Sequence, residues 1–141
     1  MRVLGIDLGG RRTGVAISDP TGSLARPLLT LEGDPLPAVI RLVGELSAEA
    51  DGLGRVVVGL PTGLSGESTP ETERARAFAQ ALAGRIALPV ELQDERLSSV
   101  EAASRLAHRR EGWKAVRARL DAAAAAVILQ DHLDGAPPSS P

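Results

Sequence analysis

The sequence contains no cysteine, which excludes disulfide bonds and thiolate metal ligands. Aromatic residues are nearly absent too: Phe78 and Trp113 are the only two, and there is no tyrosine. The core must therefore be aliphatic, and recognition of single strands by stacking on their bases is disfavoured. No apolar stretch is long enough to cross a bilayer, and Asp7 falls where a signal peptide would need its apolar run. We expect a soluble, cytoplasmic protein.

An excess of positive charge is also missing, because the formal net charge of the 141 residues is -2 at pH 7. This excludes a globally basic nucleic-acid binder, but the cations are unevenly distributed. They concentrate in residues 11–12, 74–76 and 105–119, and nearly all are arginine, the side chain suited to bidentate contacts with phosphate. The alternative is the compositional bias of a GC-rich genome, which also favours arginine over lysine.

Hydrophobic periodicity predicts one α/β domain over residues 1–134, followed by a disordered tail over residues 135–141. Strands are predicted over 2–7, 13–19, 23–31, 55–60 and 89–92, and helices over 35–50, from 70 to about 84, over 98–108 and over 115–132. Pro27 places the third strand at a sheet edge, and residues 109–114 are predicted to form a mobile loop. The β-β-β-α-β-α-β-α-α order predicts a mixed five-stranded sheet with helices on both faces.

The first strand ends in a carboxylate, Asp7, which a turn rich in glycine and arginine follows. A carboxylate at the end of a buried strand is unfavourable unless a partner neutralises or hydrates it. The glycines of the turn allow a close approach of the backbone to a ligand and permit positive φ angles. We therefore interpret this segment as a functional site. The alternative is that Asp7 only caps the hairpin or accepts backbone hydrogen bonds in the turn.

Two further acidic positions are candidates for the same site. Asp94 and Glu95 follow the last strand, at the carboxyl end where open α/β sheets bind their ligands. Asp121 shares a face of the last helix with Ala124 and Ala125, small residues that would let this helix approach the sheet closely. Acids that converge repel each other unless a hard cation such as Mg²⁺ or Mn²⁺ lies between them. Two such ions about 4 Å apart would promote phosphodiester hydrolysis.

Structural roles remain open for these acids as well. Asp94 could pair with Arg96 or cap the helix that follows, and the chemistry of Glu95 alone is ambiguous. Asp121 could form an exposed pair with Arg117, four residues before it in the helix.

Four blocks of the sequence occur together in one known family. They are Gly5 to Asp19, Val57 to Pro61 with Gly66 five residues on, Asp94 to Ser99, and Leu120 to Leu129. In order and spacing they resemble the YqgF/RuvX family of ribonuclease H-like proteins, whose members are named pre-16S rRNA nucleases or Holliday junction resolvases. The resemblance covers residues 2–133. It implies a ribonuclease H-like fold with Asp7, Glu95 and Asp121 as the catalytic, metal-binding set.

The resulting hypothesis is a two-metal-ion endonuclease that uses Mg²⁺ or Mn²⁺. Asp7 would bridge the ions and the other two acids would complete the set, without a covalent enzyme intermediate. The predicted nucleic-acid contacts are Arg11, Arg12, Arg96, Arg109, Arg110 and Lys114. The alternative for Arg96 is that it orients Glu95, and the alternative for Arg11 and Arg12 is that they belong to an ordinary solvent-exposed turn.

Three interpretations compete with RNA hydrolysis in the processing of the 16S rRNA precursor. The first is the resolution of four-way DNA junctions. Such a junction is two-fold symmetric, so a resolvase would need a dimer, whereas a monomer suits RNA processing. The second is a non-catalytic RNA-binding module. The segment from Gly5 to Gly14 also resembles the first phosphate motif of sugar kinases and actin-like ATPases, but those proteins need two such domains, for which this chain is too short.

Overall fold

The computed structural model describes residues 1–62, 65–95 and 113–135, with residues 113–119 described as backbone. These ranges form five strands and three helices. The strands are β1 (Arg2–Leu8), β2 (Arg12–Ser18), β3 (Ala25–Glu32), β4 (Leu53–Leu60) and β5 (Val90–Asp94), and the helices are α1 (Pro35–Ala48), α2 (Pro70–Ala83) and α3 (Trp113–Gly135). The predicted helix over 98–108, most of the predicted loop over 109–114 and the predicted tail beyond Gly135 lie outside the described residues.

The strands form one mixed sheet in the order β3-β2-β1-β4-β5. β1 pairs antiparallel with β2, and β2 pairs antiparallel with β3, so the first three strands form a meander. β4 lies parallel beside β1, and β5 lies parallel beside β4. The predicted five-stranded sheet is confirmed. Its first edge is β3, as Pro27 requires, because a proline in a central strand would remove a ladder hydrogen bond.

The first two helices begin at clear capping residues. Asp34 accepts a hydrogen bond from the backbone N–H of Leu36 at 3.2 Å, and Thr69 and Thr72 form a reciprocal capping box before α2. α1 ends slightly earlier than predicted, and α3 extends beyond the predicted 115–132 at both ends, so residues 113–114 are helical. Periodicity identifies the middle of a helix better than its ends. None of the helices described is long and apolar enough to cross a membrane.

Helices cover both faces of the sheet, as predicted. One face packs against α1 and α2 through an aliphatic core that includes Phe78. The opposite face, here called the α3 face, carries Val3 and Val57, which pack against Ala125 and Leu129 of α3. Because side chains alternate along a strand, every second residue from Val3 onward in β1 lies on the α3 face.

Two glycines of the α3 face allow α3 to lie close to the sheet. A Cβ atom at Gly5 would lie 2.9 Å from the Cβ atom of Leu129, and one at Gly14 would overlap the backbone carbonyl oxygen of Asp121. The small residues of α3 were expected to permit this approach. The strands also contribute to this close approach, because they carry glycine where the backbone of α3 crosses them.

The glycines of the β1–β2 turn do not use the positive φ angles that glycine permits. Among the described residues, positive φ angles occur at Gly22, Gly33, Gly52 and Gly66, and none of these belongs to the turn. The turn needs glycine for space instead. A Cβ atom at Gly9 would overlap the carbonyl oxygen of Arg12.

Polar contacts fix α3 across the width of the sheet. The side-chain amide of Gln130 accepts a hydrogen bond from the backbone N–H of Ala25 at 2.8 Å, at the start of β3. On the other side, the two ring nitrogens of His132 lie 3.0 Å from Gln93 and 3.0 Å from Glu91, both in β5. The helix therefore has little freedom to slide, and residues on it are held in register with the strand ends.

Candidate active site

Three separate elements carry the three predicted acids. Asp7 lies in β1 opposite Gly14 of β2, and Asp121 lies in α3. Glu95 directly follows β5, and its backbone N–H donates to the carbonyl oxygen of Leu60 at 3.1 Å, at the end of β4. Since β1, β4 and β5 are parallel, Asp7 and Glu95 meet at the edge formed by their carboxyl ends. This is the edge at which the sequence places a site.

Gly59 gives Glu95 its place over the sheet. A Cβ atom at Gly59 would lie 3.4 Å from the carboxyl carbon of Glu95 and 3.0 Å from Cδ1 of Ile128 in α3. Sequence reasoning used this glycine only as part of a family block and missed its role. The available signal was its position at the end of a run of β-branched residues, since glycine inside a strand often marks the close approach of another group.

Asp7 and Glu95 form a carboxyl–carboxyl pair, close enough that their side chains can share a hydrogen bond. Such a bond needs a proton on one of the two groups. Burial is the main cause that raises the pKa of Asp7 to about 6, and the negative charge of Asp121 adds to it, whereas the bond with Glu95 acts in the opposite direction. Burial first, and then the charge of Asp7, raise the pKa of Glu95 to about 8. The pair therefore holds a proton more tightly than two separate, exposed carboxyl groups would.

Asp121 lies beside this pair but is engaged with a different partner. Its Oδ2 atom accepts a hydrogen bond from Nε of Arg12 at 2.6 Å, in an ion pair between α3 and the first residue of β2. Both side chains are partly shielded, with 25% of Asp121 and 31% of Arg12 exposed. The partner of Asp121 in the structure is thus distant in sequence. The side chain of Arg117, which the sequence offered as an alternative partner, lies outside the described part of the chain.

We tested whether these residues suit a divalent cation. In the arrangement described, no three acidic or histidine side chains of the described ranges are grouped closely enough to hold a metal ion. In this arrangement the carboxylate of Asp121 is paired with Arg12. The donor set itself suits a hard cation: two half-buried, adjacent carboxyl groups favour a positive charge or a proton between them, and a third carboxylate is near enough for its charge to act on Asp7.

The predicted nucleic-acid contacts divide into two groups. Arg11 is exposed in the turn after β1, and its carbonyl oxygen accepts from the backbone N–H of Gly33 at 3.1 Å, whereas Arg12 is paired with Asp121. Arg96, Arg109 and Arg110 lie outside the described residues. Lys114 lies in the first turn of α3, and its side chain is outside the described part of the structure.

Arg74 is a further residue at the site that sequence reasoning did not assign. It lies on α2, and its Nη2 atom donates a hydrogen bond to the carbonyl oxygen of Gly9. This contact ties the first turns of α2 to the turn that follows Asp7. Its only sequence signal was membership of the arginine cluster at 74–76.

The sheet order, the helix on the α3 face and the acidic edge define a ribonuclease H-like protein. Solved structures agree with this class. The chain is similar to the Thermus thermophilus RuvC structure, with a TM-score of 0.50 and 18% identity over 91% of this chain and 92% of that one. It is also similar to the fowlpox virus Holliday junction resolvase, with a TM-score of 0.50 and 11% identity over 95% of this chain and 98% of that one. At these identities the likeness concerns the fold alone.

Sequence comparison identifies the family. A family model described as "RuvX: Holliday junction resolvase" matches residues 1–135, and the chain belongs to this YqgF/RuvX family. A protein of Pelotomaculum thermopropionicum is 44% identical over 136 residues, which are 95% of this chain and 87% of that protein. One of an Anaeromyxobacter species is 45% identical over 137 residues, 96% of this chain and 98% of that protein. Both carry the name "Putative pre-16S rRNA nuclease".

Proposed function

We propose that this protein is a metal-dependent nuclease that hydrolyses phosphodiester bonds in RNA, in the processing of the 16S rRNA precursor. The observation that carries the proposal is the half-buried Asp7–Glu95 carboxyl pair at the carboxyl ends of parallel strands. The names of the relatives support the substrate, because these relatives match nearly the whole chain at more than 40% identity.

Asp7, Glu95 and Asp121 are the residues that would hold Mg²⁺ or Mn²⁺. When bound, two such ions lower the pKa of an attacking water and stabilise the leaving oxygen of the phosphodiester. The chain itself places the half-buried Asp7 and Glu95 side by side, where a bound cation would neutralise the negative charge that a proton otherwise neutralises. Gly59 and Gly14 keep the space above the sheet open for Glu95 and for α3.

The turn after β1 is the proposed contact with the phosphate backbone. Arg11 is exposed there, and Arg74 fixes the same turn by its bond to Gly9. Arg12 has the same proposed role, and its Nε atom is already engaged with Asp121. Arg96, Arg109, Arg110 and Lys114 remain proposed contacts on the basis of the sequence.

Resolution of four-way DNA junctions is the second candidate, favoured by the description of the family model. A symmetric junction requires two active sites, so this function predicts a dimer on the DNA. The two candidates therefore differ in stoichiometry as well as in substrate.

The test is cleavage by the wild type and by Asp7→Asn, with Mg²⁺, Mn²⁺ or EDTA. Each protein is offered a single-stranded RNA, an RNA that carries the ends of the 16S precursor, and a four-way DNA junction. Glu45→Gln is the matched control, because it removes an exposed carboxylate on α1, on the opposite face of the sheet. We expect metal-dependent RNA cleavage that Asp7→Asn abolishes and Glu45→Gln retains.

Two other outcomes would change the conclusion. Paired, symmetric nicks in the junction and no RNA cleavage would establish the second candidate. Absence of cleavage in every condition, together with retained RNA binding, would indicate a binding module and contradict the nuclease proposal.

A further inference from the structure

We propose that Arg12 is an internal counter-cation of the site, which pairs with Asp121 in the metal-free protein and competes with a metal ion for its carboxylate. The inference deepens the proposed function and rests on it, because it concerns how the proposed metal site is filled.

The first observation is the quality of the ion pair. Nε of Arg12 lies 2.6 Å from Oδ2 of Asp121, a short charge-assisted hydrogen bond, and neither side chain is more than a third exposed. A pair of this kind is stronger than an ion pair in open solvent, because fewer water molecules compete for the carboxylate. Asp121 thus has one strong partner already.

The second observation is that backbone contacts fix both partners. The carbonyl oxygen of Asp121 lies directly over Gly14 of β2, and Arg12 begins the same strand two residues earlier. The carbonyl oxygen of Arg12 lies in turn against Gly9. Neither backbone can move far, so an exchange of partners must come from rotation of the two side chains.

The third observation is electrostatic. The charge of Asp121 acts on Asp7, so the three carboxylates belong to one electrostatic site. A guanidinium held at Asp121 places a positive charge beside the position that a cation would take, and like charges disfavour each other there. Arg12 and a metal ion therefore compete for Asp121, and the metal affinity of the wild type is lower than its carboxylates alone would give.

A purely structural role is the alternative for this ion pair. In that case Arg12 only joins β2 to α3, and its removal weakens the fold equally with and without metal. The two roles make different predictions for metal affinity, which is measurable without any assay of cleavage.

The experiment measures Mn²⁺ binding by isothermal titration calorimetry for the wild type, Arg12→Gln and Arg11→Gln. Arg11→Gln is the matched control, because it removes the same charge from the neighbouring, exposed residue. We expect Arg12→Gln to bind Mn²⁺ about tenfold more tightly than Arg11→Gln, the effect of a charge-assisted hydrogen bond reduced for its partial exposure. Arg12→Lys, which keeps the charge but not the planar donor, should fall between the two.

A second measurement covers the possibility that the variant is poorly folded. Thermal unfolding in EDTA should show Arg12→Gln to be less stable than the wild type, because Asp121 loses its partner, and saturating Mn²⁺ should remove the difference. In the Asp121→Asn background, Arg12→Gln should no longer tighten Mn²⁺ binding, since there is no carboxylate left to compete for.

The outcomes separate this inference from the proposed function. If the wild type binds Mn²⁺ through Asp7 but Arg12→Gln binds no more tightly than Arg11→Gln, only the role of Arg12 is refuted. If neither the wild type nor any variant binds Mn²⁺, the proposed metal site itself is wrong, and this inference falls with it.

Discussion

Substitution of Gly14 by alanine should be among the most damaging single changes in this protein. The added Cβ atom would overlap the backbone carbonyl oxygen of Asp121. A flexible side chain could rotate away, but this neighbour is the backbone of a helix that contacts both β3 and β5 through Gln130 and His132. The helix would have to move as a unit, and its packing on the sheet would loosen.

The magnitude follows from the nature of the clash. Overpacking of a core by a methyl group typically costs 1 to 3 kcal/mol, and a clash with fixed backbone lies at the upper end, so we expect roughly 3 kcal/mol of lost unfolding free energy. That loss is a large share of the total stability of a domain, which is about 5 to 15 kcal/mol. For a chain of this size it corresponds to a decrease of about 10 °C in the melting temperature.

Urea denaturation monitored by circular dichroism measures this effect, and the chain offers a matched control. Gly10 lies in the neighbouring turn, has no positive φ angle, and would place its new Cβ atom in open space. Gly10→Ala should therefore be neutral or slightly stabilising, because it only restricts the unfolded chain. If Gly14→Ala unfolds within about 0.5 kcal/mol of Gly10→Ala, the size of an ordinary surface effect, the close approach of α3 to β2 is refuted.

Three further predictions concern the site and its surroundings. In EDTA, the unfolding free energy of the wild type should fall as pH rises from about 4 to about 8, because folded Asp7 and Glu95 keep protons that the unfolded chain has released. Urea titrations at several pH values measure this dependence, and Asp7→Asn should weaken it. An equal pH dependence in the wild type and Asp7→Asn would contradict the carboxyl pair. Thr69→Ala should cost about 1 kcal/mol by removing the cap of α2, measured against exposed Ser68→Ala, and equal stabilities would contradict the capping role. Arg11→Gln should reduce the salt dependence of RNA binding by a slope of about 0.7, and an unaltered slope would exclude a phosphate contact.

The sequence contained enough information for the architecture and for the edge of the sheet at which Asp7 and Glu95 lie. Val56, Val57 and Val58 predict a buried central strand, Pro27 predicts an edge, and both predictions are confirmed. Asp7 and Glu95 follow strands that proved to be parallel neighbours in the sheet, so their meeting follows from local pattern together with topology.

The partner of Asp121 could not be predicted in the same way. Arg12 is 109 residues away in sequence, and helical periodicity offers only partners within a turn or two, such as Arg117. The roles of Gly14 and Gly59 could not be predicted from the sequence either. A glycine in a strand indicates that something comes close, but only the tertiary structure identifies the group as a helix backbone in one case and a carboxyl side chain in the other.

The sign of the change in stability on substitution should distinguish residues that serve the fold from residues that serve the site. Replacement of the first kind lowers the stability, whereas replacement of the second kind raises it. Gly14 makes room for α3, so its replacement should lower stability and also displace Asp121 from the site. Asp7 is held beside Glu95 against electrostatic repulsion and loss of hydration, so its replacement by asparagine should raise stability in EDTA above neutral pH while it removes a proposed metal ligand. If Asp7→Asn raises stability in this way, the half-buried carboxylate is held at a cost to the metal-free fold, as expected of a residue that serves a ligand and not the fold.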